Sequence, residues 1–201
     1  MTVDRMSLFG ETVNRWLFAT AFGLLALLIQ APGARAQWTE EIQCSDSWLS
    51  GPEGMTCMRA ADSEGGTGTG KCVFKREVMF GSYPGGFVYA GIFRNWHDRC
   101  WVTAKGTSAT FADLRKRADG IFEDGHGNWS DVRIVDDAYV SEFVSNNRRC
   151  VASRTYGAPD RGGYRHVVDA FACDSPGSRA ESSAFTDDEI KLRIELIRAR
   201  W

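Results

Sequence analysis

Six cysteines, all downstream of an apolar leader, constrain the fold of this chain more than any other feature. They are Cys44, Cys57, Cys72, Cys100, Cys150 and Cys173. An even number of cysteines in an exported chain predicts up to three disulfides, formed in an oxidising compartment. Zinc knuckles place paired cysteines about two to four residues apart, whereas the closest pair here is thirteen residues apart. The cysteines therefore indicate structural disulfides rather than a metal site.

The leader has the layout of a secretory signal peptide. A polar start is followed by fourteen residues without a charge, 16–29, and then by a small-x-small cleavage pattern at residues 34–36. A membrane-spanning helix needs about 20 apolar residues, and no other segment is more apolar than this one. We expect a signal peptide over residues 1–36, cleaved after Ala36. Residues 37–201 then form a single domain in the periplasm or outside the cell, with no stable membrane span.

The charge balance argues against a nucleic-acid partner. The full chain carries 24 basic and 26 acidic side chains, and without the leader 21 basic and 24 acidic side chains remain. A slightly acidic domain has no electrostatic reason to bind DNA, RNA or anionic lipid. An apolar content of 43% also excludes a disordered chain.

Two β-prone runs around the last two cysteines predict a hairpin. RRCVASRTY and YRHVVDAFAC are separated by GAPDRGG, which is rich in turn-forming residues. If Cys150 lies opposite Cys173, antiparallel register places Arg154 opposite Asp169, a pair that a one-residue slip would lose. We therefore predict a Cys150–Cys173 disulfide. The remaining four cysteines allow three pairings, of which we favour Cys57–Cys72 with Cys44–Cys100.

Alternating apolar residues predict further strands. GFVYAGIFR is apolar on both faces, which is typical of a central strand covered on both sides. RCWVTA is predicted as a strand, and DVRIV and DAYVSEFV as a hairpin around Asp136 and Asp137. Residues 37–71 are rich in glycine and proline, and we expect mostly loop there.

Two helices complete the predicted fold. Thr110 and Asp113 suggest a capping box that opens a short middle helix, with Leu114 and Ala118 at helical spacing. Thr186 with Glu189 suggests a second box, which opens a helix running to the C-terminus. The predicted architecture is a single small disulfide-stapled α+β domain, in which these two helices accompany an antiparallel sheet.

Two motifs resemble ligand-binding loops and depart from them at the decisive positions. Residues 65–72, GGTGTGKC, match a phosphate-binding loop until the last position, where Cys72 replaces the Ser or Thr that holds magnesium. We predict no cofactor there. Asp124, His126 and Asn128 alternate as calcium ligands do, but the calcium-loop template then requires a glycine where Trp129 stands. We predict a polar turn, with Asp124, His126 and Asn128 as the candidate metal ligands.

Catalytic candidates are few because the chain has three histidines and no serine in a nucleophile elbow. His97 and Asp98 are the best candidate pair for general acid–base chemistry, since a turn between strands would present them at a rim. Trp96 and Trp129 are flanked by polar or glycine residues, and they are the candidate ligand-binding aromatics.

The pattern favours a non-enzymatic exported module that binds an envelope component, a glycan or a partner protein. A compact disulfide-stapled domain without a catalytic constellation or cofactor loop is its main support. The alternative is a small secreted hydrolase that uses His97 with Asp98 or another acid. Because the charge excludes nucleic acid, an unidentified envelope or extracellular ligand is the expected partner.

Overall fold

Strands dominate the part of the chain that the computed structural model describes, residues 38–65, 72–95, 100–160, 163–175 and 184–200. The elements in chain order are β1 (Trp38–Ile42), β2 (Leu49–Ser50), β3 (Thr56–Ala60), β4 (Ser63–Gly65), β5 (Cys72–Tyr83), β6 (Gly86–Asn95), α1 (Thr107–Ile121), β7 (His126–Gly127), β8 (Arg133–Val135), β9 (Ala138–Ser145), β10 (Arg148–Tyr156), β11 (Pro159–Asp160), β12 (Gly163–Tyr164), β13 (His166–Asp174), α2 (Asp187–Glu195) and β14 (Arg198–Ala199).

One antiparallel sheet organises these elements. Its strand order is β1-β3-β5-β6-β13-β10-β9-β7, and β4 and β8 add to it by pairing with β5 and β9. Two helices and three disulfides accompany the sheet. The described chain is therefore mostly β, and the α+β expectation holds only in the broad sense that helices pack on an antiparallel sheet.

Strand β6 lies at the centre, between β5 and β13. Val88 and Ala90 are fully buried on one face, whereas the alternating Phe87 and Tyr89 pack on the other. The prediction of a strand covered on both faces is confirmed. We call the side of the sheet that holds Phe87 and Tyr89 the α1 face, and the side that holds Val88 and Ala90 the α2 face.

Helix α1 covers its face through residues spaced four apart. Leu114 and Ala118 are fully buried and pack against Phe143, Ala152 and Phe171 of the sheet. On the opposite face, α2 covers one half of the sheet, and the short β2–β14 ribbon covers the other half. The sheet is thus shielded from solvent on both sides, as its doubly apolar central strand requires.

The capping box predicted for the middle helix is wrong. Helix α1 begins at Thr107 and has Gly106 as its N-cap, without a side-chain cap. Thr110 lies inside the first turn, where its backbone N–H donates to the Gly106 carbonyl and its hydroxyl donates to the carbonyl of Lys105. The apolar periodicity begins one turn after the helix itself does, so the sequence pattern placed the helix start too late.

The second capping box is confirmed. The Thr186 hydroxyl accepts from the Glu189 N–H, and the Glu189 carboxylate accepts from the Thr186 N–H. The predicted helix is too long, however, because it ends at Glu195 and Arg198–Ala199 pairs with β2 instead. Trp201, the last residue of the predicted helix, lies outside the described residues.

Three other segments test the strand predictions. The β8–β9 hairpin is confirmed, and Asp136 and Asp137 both have the positive φ that a tight hairpin turn requires. The described part of RCWVTA, residues 100–104, is not a strand, since Val102 forms only an isolated bridge with Tyr164. Residues 38–65 are less loop-like than expected, because β1 and β3 join the sheet. Strand β1 (WTEEI) is a polar edge strand without apolar alternation.

The Cys150–Cys173 bridge forms between directly opposite residues of β10 and β13, whose Cα atoms lie 4.0 Å apart. The same register places Arg154 opposite Asp169. The hairpin register that was predicted from the sequence is therefore present in the structure.

The remaining bridges are Cys44–Cys57 and Cys72–Cys100, rather than the predicted Cys57–Cys72 and Cys44–Cys100. Sheet register is the reason. Cys57 lies opposite Met79, seven residues along β5 from Cys72, which is about 23 Å at the usual rise of a strand. Ile42 is the partner of Cys57 in the β1–β3 pair, so Cys44 follows closely enough to bond it. All three bridges are consistent with an oxidising, exported environment.

Candidate functional site

The residues first predicted to carry chemistry are not brought together into a site by the described structure. Trp96, His97 and Asp98 lie outside the described residues, so their predicted roles stay predictions. The other candidates, Trp129 and the metal-ligand candidates near it, lie in the segment that follows α1.

His126 and Trp129 are packed together at the end of α1. The Trp129 indole N–H donates to His126 Nδ1 at 2.9 Å, and His126 Nε2 lies 2.9 Å from an Asp119 carboxylate oxygen. The Trp129 ring is stacked on Phe143, with 4.3 Å between ring centroids. Both ring nitrogens of His126 therefore have hydrogen-bond partners, and one face of Trp129 packs on Phe143. These contacts hold the loop on the α1 face.

Asp124 and Asn128 do not join His126 as a ligand set. The Asp124 carboxylate accepts from the Asn146 side chain at 3.0 Å, and Asn128 occupies the left-handed backbone region with φ of 54°. Within the described ranges, no group of three or more His, Cys, Asp or Glu side chains is placed to hold a metal ion. The segment has the geometry of a polar turn.

A cavity in the described part of the chain lies on the α2 face, near the end of β6 and the start of β13. Its volume is about 550 Å³, and it is lined by Trp48, Arg94, Ala158, Arg165, His166 and Arg200. We call it the basic pocket, because three guanidinium groups line it and none of its described lining residues is acidic. Sites for small organic ligands have volumes of about 300–1,000 Å³, so the basic pocket is large enough for one.

Strand pairing produces the floor of the basic pocket. Lys75, Arg94 and His166 are directly opposite one another across β5, β6 and β13. Side chains that are directly opposite share a face of the sheet, and this row follows the buried rows of the same face. Like charges opposite each other, as in Lys75 and Arg94, destabilise a sheet. The row therefore places two cationic side chains next to each other, and the Lys75 ammonium has the Asp62 carboxylate 3.6 Å away.

His166 is fixed by a glycine that directly follows the neighbouring strand β10. A Cβ added at Gly157 would lie 1.6 Å from the His166 ring, so the imidazole occupies the space that any other residue would fill. Burial, and then the charge of Arg94, lowers the pKa of His166 from 6.5 to about 4. At neutral pH the ring is therefore an uncharged wall of the pocket, and the guanidinium groups carry the positive charge.

Trp48 is positioned by a fully buried carboxylate. Glu77 Oε2 accepts from the Trp48 backbone N–H at 2.7 Å and from the Ser47 hydroxyl at 3.0 Å, and Glu77 Oε1 accepts from the Arg59 guanidinium at 2.6 Å. Arg59 and Arg94 also lie over the indole, with their guanidinium carbons 5.7 and 5.2 Å from the ring centroid. These contacts fix the indole and Arg94 relative to each other.

The rim of the basic pocket is held by the C-terminal strand. The Arg200 backbone N–H donates to the Trp48 carbonyl at 2.7 Å. Its guanidinium donates to the carbonyls of Cys44 and Ser45 at 3.3 and 2.8 Å. Because Cys44 is bonded to Cys57 of β3, a disulfide anchors the segment on which Arg200 rests.

A second charged cluster lies on the opposite face of the sheet, under α1. We call it the α1-face ion network, and its members are Lys105, Asp113, Arg117, Arg154 and Asp169. Arg154 contacts the two carboxylate oxygens of Asp169 at 2.6 and 2.8 Å, and Arg117 contacts Asp169 at 2.5 Å. Asp113 accepts from Arg154 and Lys105 at 2.8 and 2.7 Å. Each cation of this network has a carboxylate partner, so its geometry is that of a structural cluster.

The basic pocket was not predicted from the sequence, because its lining residues are far apart along the chain, from Trp48 to Arg200. One local signal was available. Arg94 continues the alternation of Val88, Ala90 and Ile92 in β6, and it is a charged residue at the end of an otherwise apolar face.

Comparison of the chain with family models, with curated proteins and with solved structures found no match. None of the helices in the described ranges is long and apolar enough to cross a membrane.

Proposed function

We propose that this chain is an exported, non-enzymatic binding module that holds an acidic group of an envelope glycan in the basic pocket. Three arginines among the residues that line one cavity carry the proposal. Guanidinium groups bind carboxylate and phosphate oxygens through paired N–H donors.

Two further observations support export and binding. Three disulfides suit an oxidising compartment, where envelope glycans are found. The pocket is also held in place by parts of the fold that need no ligand, namely the buried Glu77 and the Cys44–Cys57 bridge. A binding site formed in advance loses less conformational entropy when its ligand arrives.

Catalysis at the basic pocket has less support than ligand binding. His166 is the pocket's only described histidine, and a pKa of about 4 leaves it protonated in about one molecule in a thousand at pH 7, by the definition of the pKa. Such a group is a poor general acid at neutral pH. The hydrolase alternative depends on His97 and Asp98, and the test below includes a measurement for it.

Chemical-shift mapping tests the proposal directly. The protein is exported with its own leader, purified with its disulfides intact, and titrated with four short oligosaccharides. The probes are carboxylated (oligogalacturonate), sulfated (dextran sulfate), phosphorylated (phosphomannan) and neutral (maltotetraose). We expect at least one acidic probe, and not the neutral one, to shift the signals of Trp48, Arg94 and His166.

A pair of variants controls for general charge effects. Arg94→Gln with Arg200→Gln should abolish those shifts, whereas Arg198→Gln with Arg115→Gln removes the same charge outside the pocket and should preserve them. If no acidic probe shifts the pocket signals, the proposal is wrong. Release of reducing ends from any probe would instead favour the hydrolase.

A further inference from the structure

A second cavity of the described chain lies on the α1 face, where α1 ends beside the turn between β9 and β10. Its volume is about 310 Å³, at the lower end of the range for sites of small organic ligands. We call it the α1-end pocket. It shares none of its described lining residues with the basic pocket.

One wall of the α1-end pocket is apolar and is fixed by the core. Phe87 of β6 and Phe122, which directly follows α1, are in edge-to-face contact with 6.1 Å between ring centroids. Phe122 makes the same kind of contact with Phe143 and Phe171, at 5.2 and 5.9 Å. Ile121 lines the pocket beside these rings. The wall can therefore take an apolar group of a ligand out of water.

The polar rim of the α1-end pocket is formed without a ligand. Asp124 Oδ2 accepts from the Asn146 side chain at 3.0 Å, and the Ser145 hydroxyl donates to the Gly125 carbonyl at 2.9 Å. These two bonds connect the segment after α1 to the β9–β10 turn. Asn146 and Asn147 of that turn both have positive φ, as a tight two-residue hairpin turn requires. A rim that is formed in advance lowers the entropy cost of binding.

Two opposite charges line this small cavity without being joined to each other. The Asp124 carboxylate has Asn146 as its only side-chain partner among the described residues. The Arg148 guanidinium, which is half-buried, has no hydrogen-bond or ion-pair partner among them. Glu123 also lines the pocket, but it has an interaction of its own, and we assign it no ligand contact. A carboxylate and a guanidinium that stay apart in one cavity suit a ligand that carries both charges.

The direction of α1 indicates how such a ligand is oriented. The C-terminal end of a helix carries partial negative charge from its unpaired carbonyls. The last turn of α1 has no basic residue, and Ile121 and Phe122 bring this end of the helix to the pocket. A positive group therefore fits at the helix end beside Asp124. A negative group fits beside Arg148, whose planar donors match a carboxylate.

We infer that the α1-end pocket binds a free amino acid with an apolar side chain. Arg148 holds the carboxylate of the ligand, Asp124 holds its ammonium group, and the wall with Phe87 and Phe122 contacts its side chain. The small volume of the pocket suits a single amino acid. Because this site is distinct from the basic pocket, the inference goes beyond the proposed function and does not depend on it.

A titration followed by nuclear magnetic resonance tests each contact from the side of the ligand. The exported protein, with its disulfides intact, is titrated with L-leucine, N-acetyl-L-leucine, L-leucinamide and glycine. We expect L-leucine to bind and to shift the signals of Phe122 and Arg148. The acetyl compound lacks the ammonium group, the amide lacks the carboxylate, and glycine lacks the side chain. Each of these three should therefore bind at least about tenfold more weakly than L-leucine.

Variants place the binding in the α1-end pocket. Arg148→Gln and Asp124→Asn should each weaken the binding of L-leucine at least about tenfold. Arg198→Gln and Asp131→Asn remove the same charges at exposed positions that do not line the pocket, and they should leave the affinity unchanged. Arg148→Gln breaks no side-chain contact with a described residue, so it should fold normally. Circular dichroism of each variant checks that it is folded.

Four results would overturn the inference. If N-acetyl-L-leucine binds as tightly as L-leucine, the pocket holds no ammonium group and fits the C-terminus of a peptide instead. If L-leucinamide or glycine binds as tightly as L-leucine, the contact assigned to the carboxylate or to the side chain is wrong. If L-leucine shifts no pocket signal at millimolar concentration, or binds Arg148→Gln as tightly as Arg198→Gln, the amino-acid site is wrong. None of these results bears on the basic pocket, which the acidic oligosaccharides test separately.

Discussion

The two faces of the sheet hold their arginines in opposite ways. On the α1 face, Arg154 is 6% exposed and contacts the carboxylates of both Asp169 and Asp113. On the α2 face, Arg200 is exposed, and its guanidinium rests on the carbonyls of Cys44 and Ser45 at the rim of a cavity. A carboxylate neutralises a guanidinium and fixes it, whereas a carbonyl orients it and leaves its charge for another partner.

Under the proposed function, this difference separates charge used for folding from charge used for binding. Arg154 and Asp169 of the α1-face ion network are buried beneath a helix, where an uncompensated charge is expensive. At the basic pocket, by contrast, the side chains of Arg165 and Arg200 are exposed to solvent. Substitutions on the α1 face should therefore change stability, and substitutions in the basic pocket should change affinity.

The largest effect is expected from Asp169→Asn. This carboxylate is 1% exposed and contacts both Arg154 and Arg117, so its removal leaves two guanidinium groups against a neutral amide. Breaking a buried ion pair from one side costs about 3–5 kcal/mol, which urea unfolding would measure. Asp113→Asn is the matched control and should cost less, because Asp113 is 33% exposed. Equal losses for the two variants would show that burial does not set the cost.

Glu77→Gln should reduce stability and affinity together. Glu77 is fully buried and holds both Arg59 and the Trp48 backbone, so an amide loses charge-assisted hydrogen bonds worth about 2–3 kcal/mol. Glu142→Gln is the control, because Glu142 similarly binds an arginine and a backbone N–H, far from the pocket. Both variants should unfold more easily. Only Glu77→Gln should weaken the binding of the acidic oligosaccharide that shifts the pocket signals, and an equal loss of binding with Glu142→Gln would contradict the role given to Trp48.

Acid should destabilise the two faces in different pH intervals. The pKa of His166 is about 4 when folded and 6.5 when unfolded. The unfolded chain therefore binds the extra proton between these values, and stability falls by about 3 kcal/mol as the pH drops through them. Burial raises the pKa of Asp113, but hydrogen bonds from Lys105 and Arg154 outweigh it and lower the pKa below 3.8. The Asp113 carboxylate therefore contributes its full stabilisation above pH 3.8, and this stabilisation is lost only at lower pH.

Unfolding free energies measured from pH 7 to 3 separate the two intervals. His166→Gln should weaken the pH dependence of the unfolding free energy between pH 6.5 and 4. Asp113→Asn should weaken this dependence only below pH 3.8. If His166→Gln leaves the upper interval unchanged, the buried imidazole is not the source of that dependence.

Local signals in the sequence predicted the elements whose partners are adjacent along the chain. Cys150, Cys173, Arg154 and Asp169 indicated one hairpin register, because a turn brings the two strands together directly. Thr186 likewise predicted the start of α2, since a capping box lies within four residues.

Features that depend on distant pairing were not predictable in the same way. The Cys44–Cys57 and Cys72–Cys100 bridges follow from how β1, β3, β4 and β5 align, and no local pattern specifies that register. The basic pocket depends on β6 pairing with β13 and on β14 pairing with β2. Its arginines therefore look like ordinary surface residues until the sheet is assembled.

The most direct test measures the unfolding free energy of two variants and their affinity for the acidic oligosaccharide that shifts the pocket signals. The account predicts that Arg200→Gln changes the unfolding free energy by less than about 1 kcal/mol and weakens binding at least tenfold. It predicts that Asp169→Asn lowers the unfolding free energy by about 3–5 kcal/mol and leaves the affinity of the folded protein unchanged. Loss of stability in Arg200→Gln with intact binding, or loss of binding in folded Asp169→Asn with intact stability, would contradict the division of charge between the two faces.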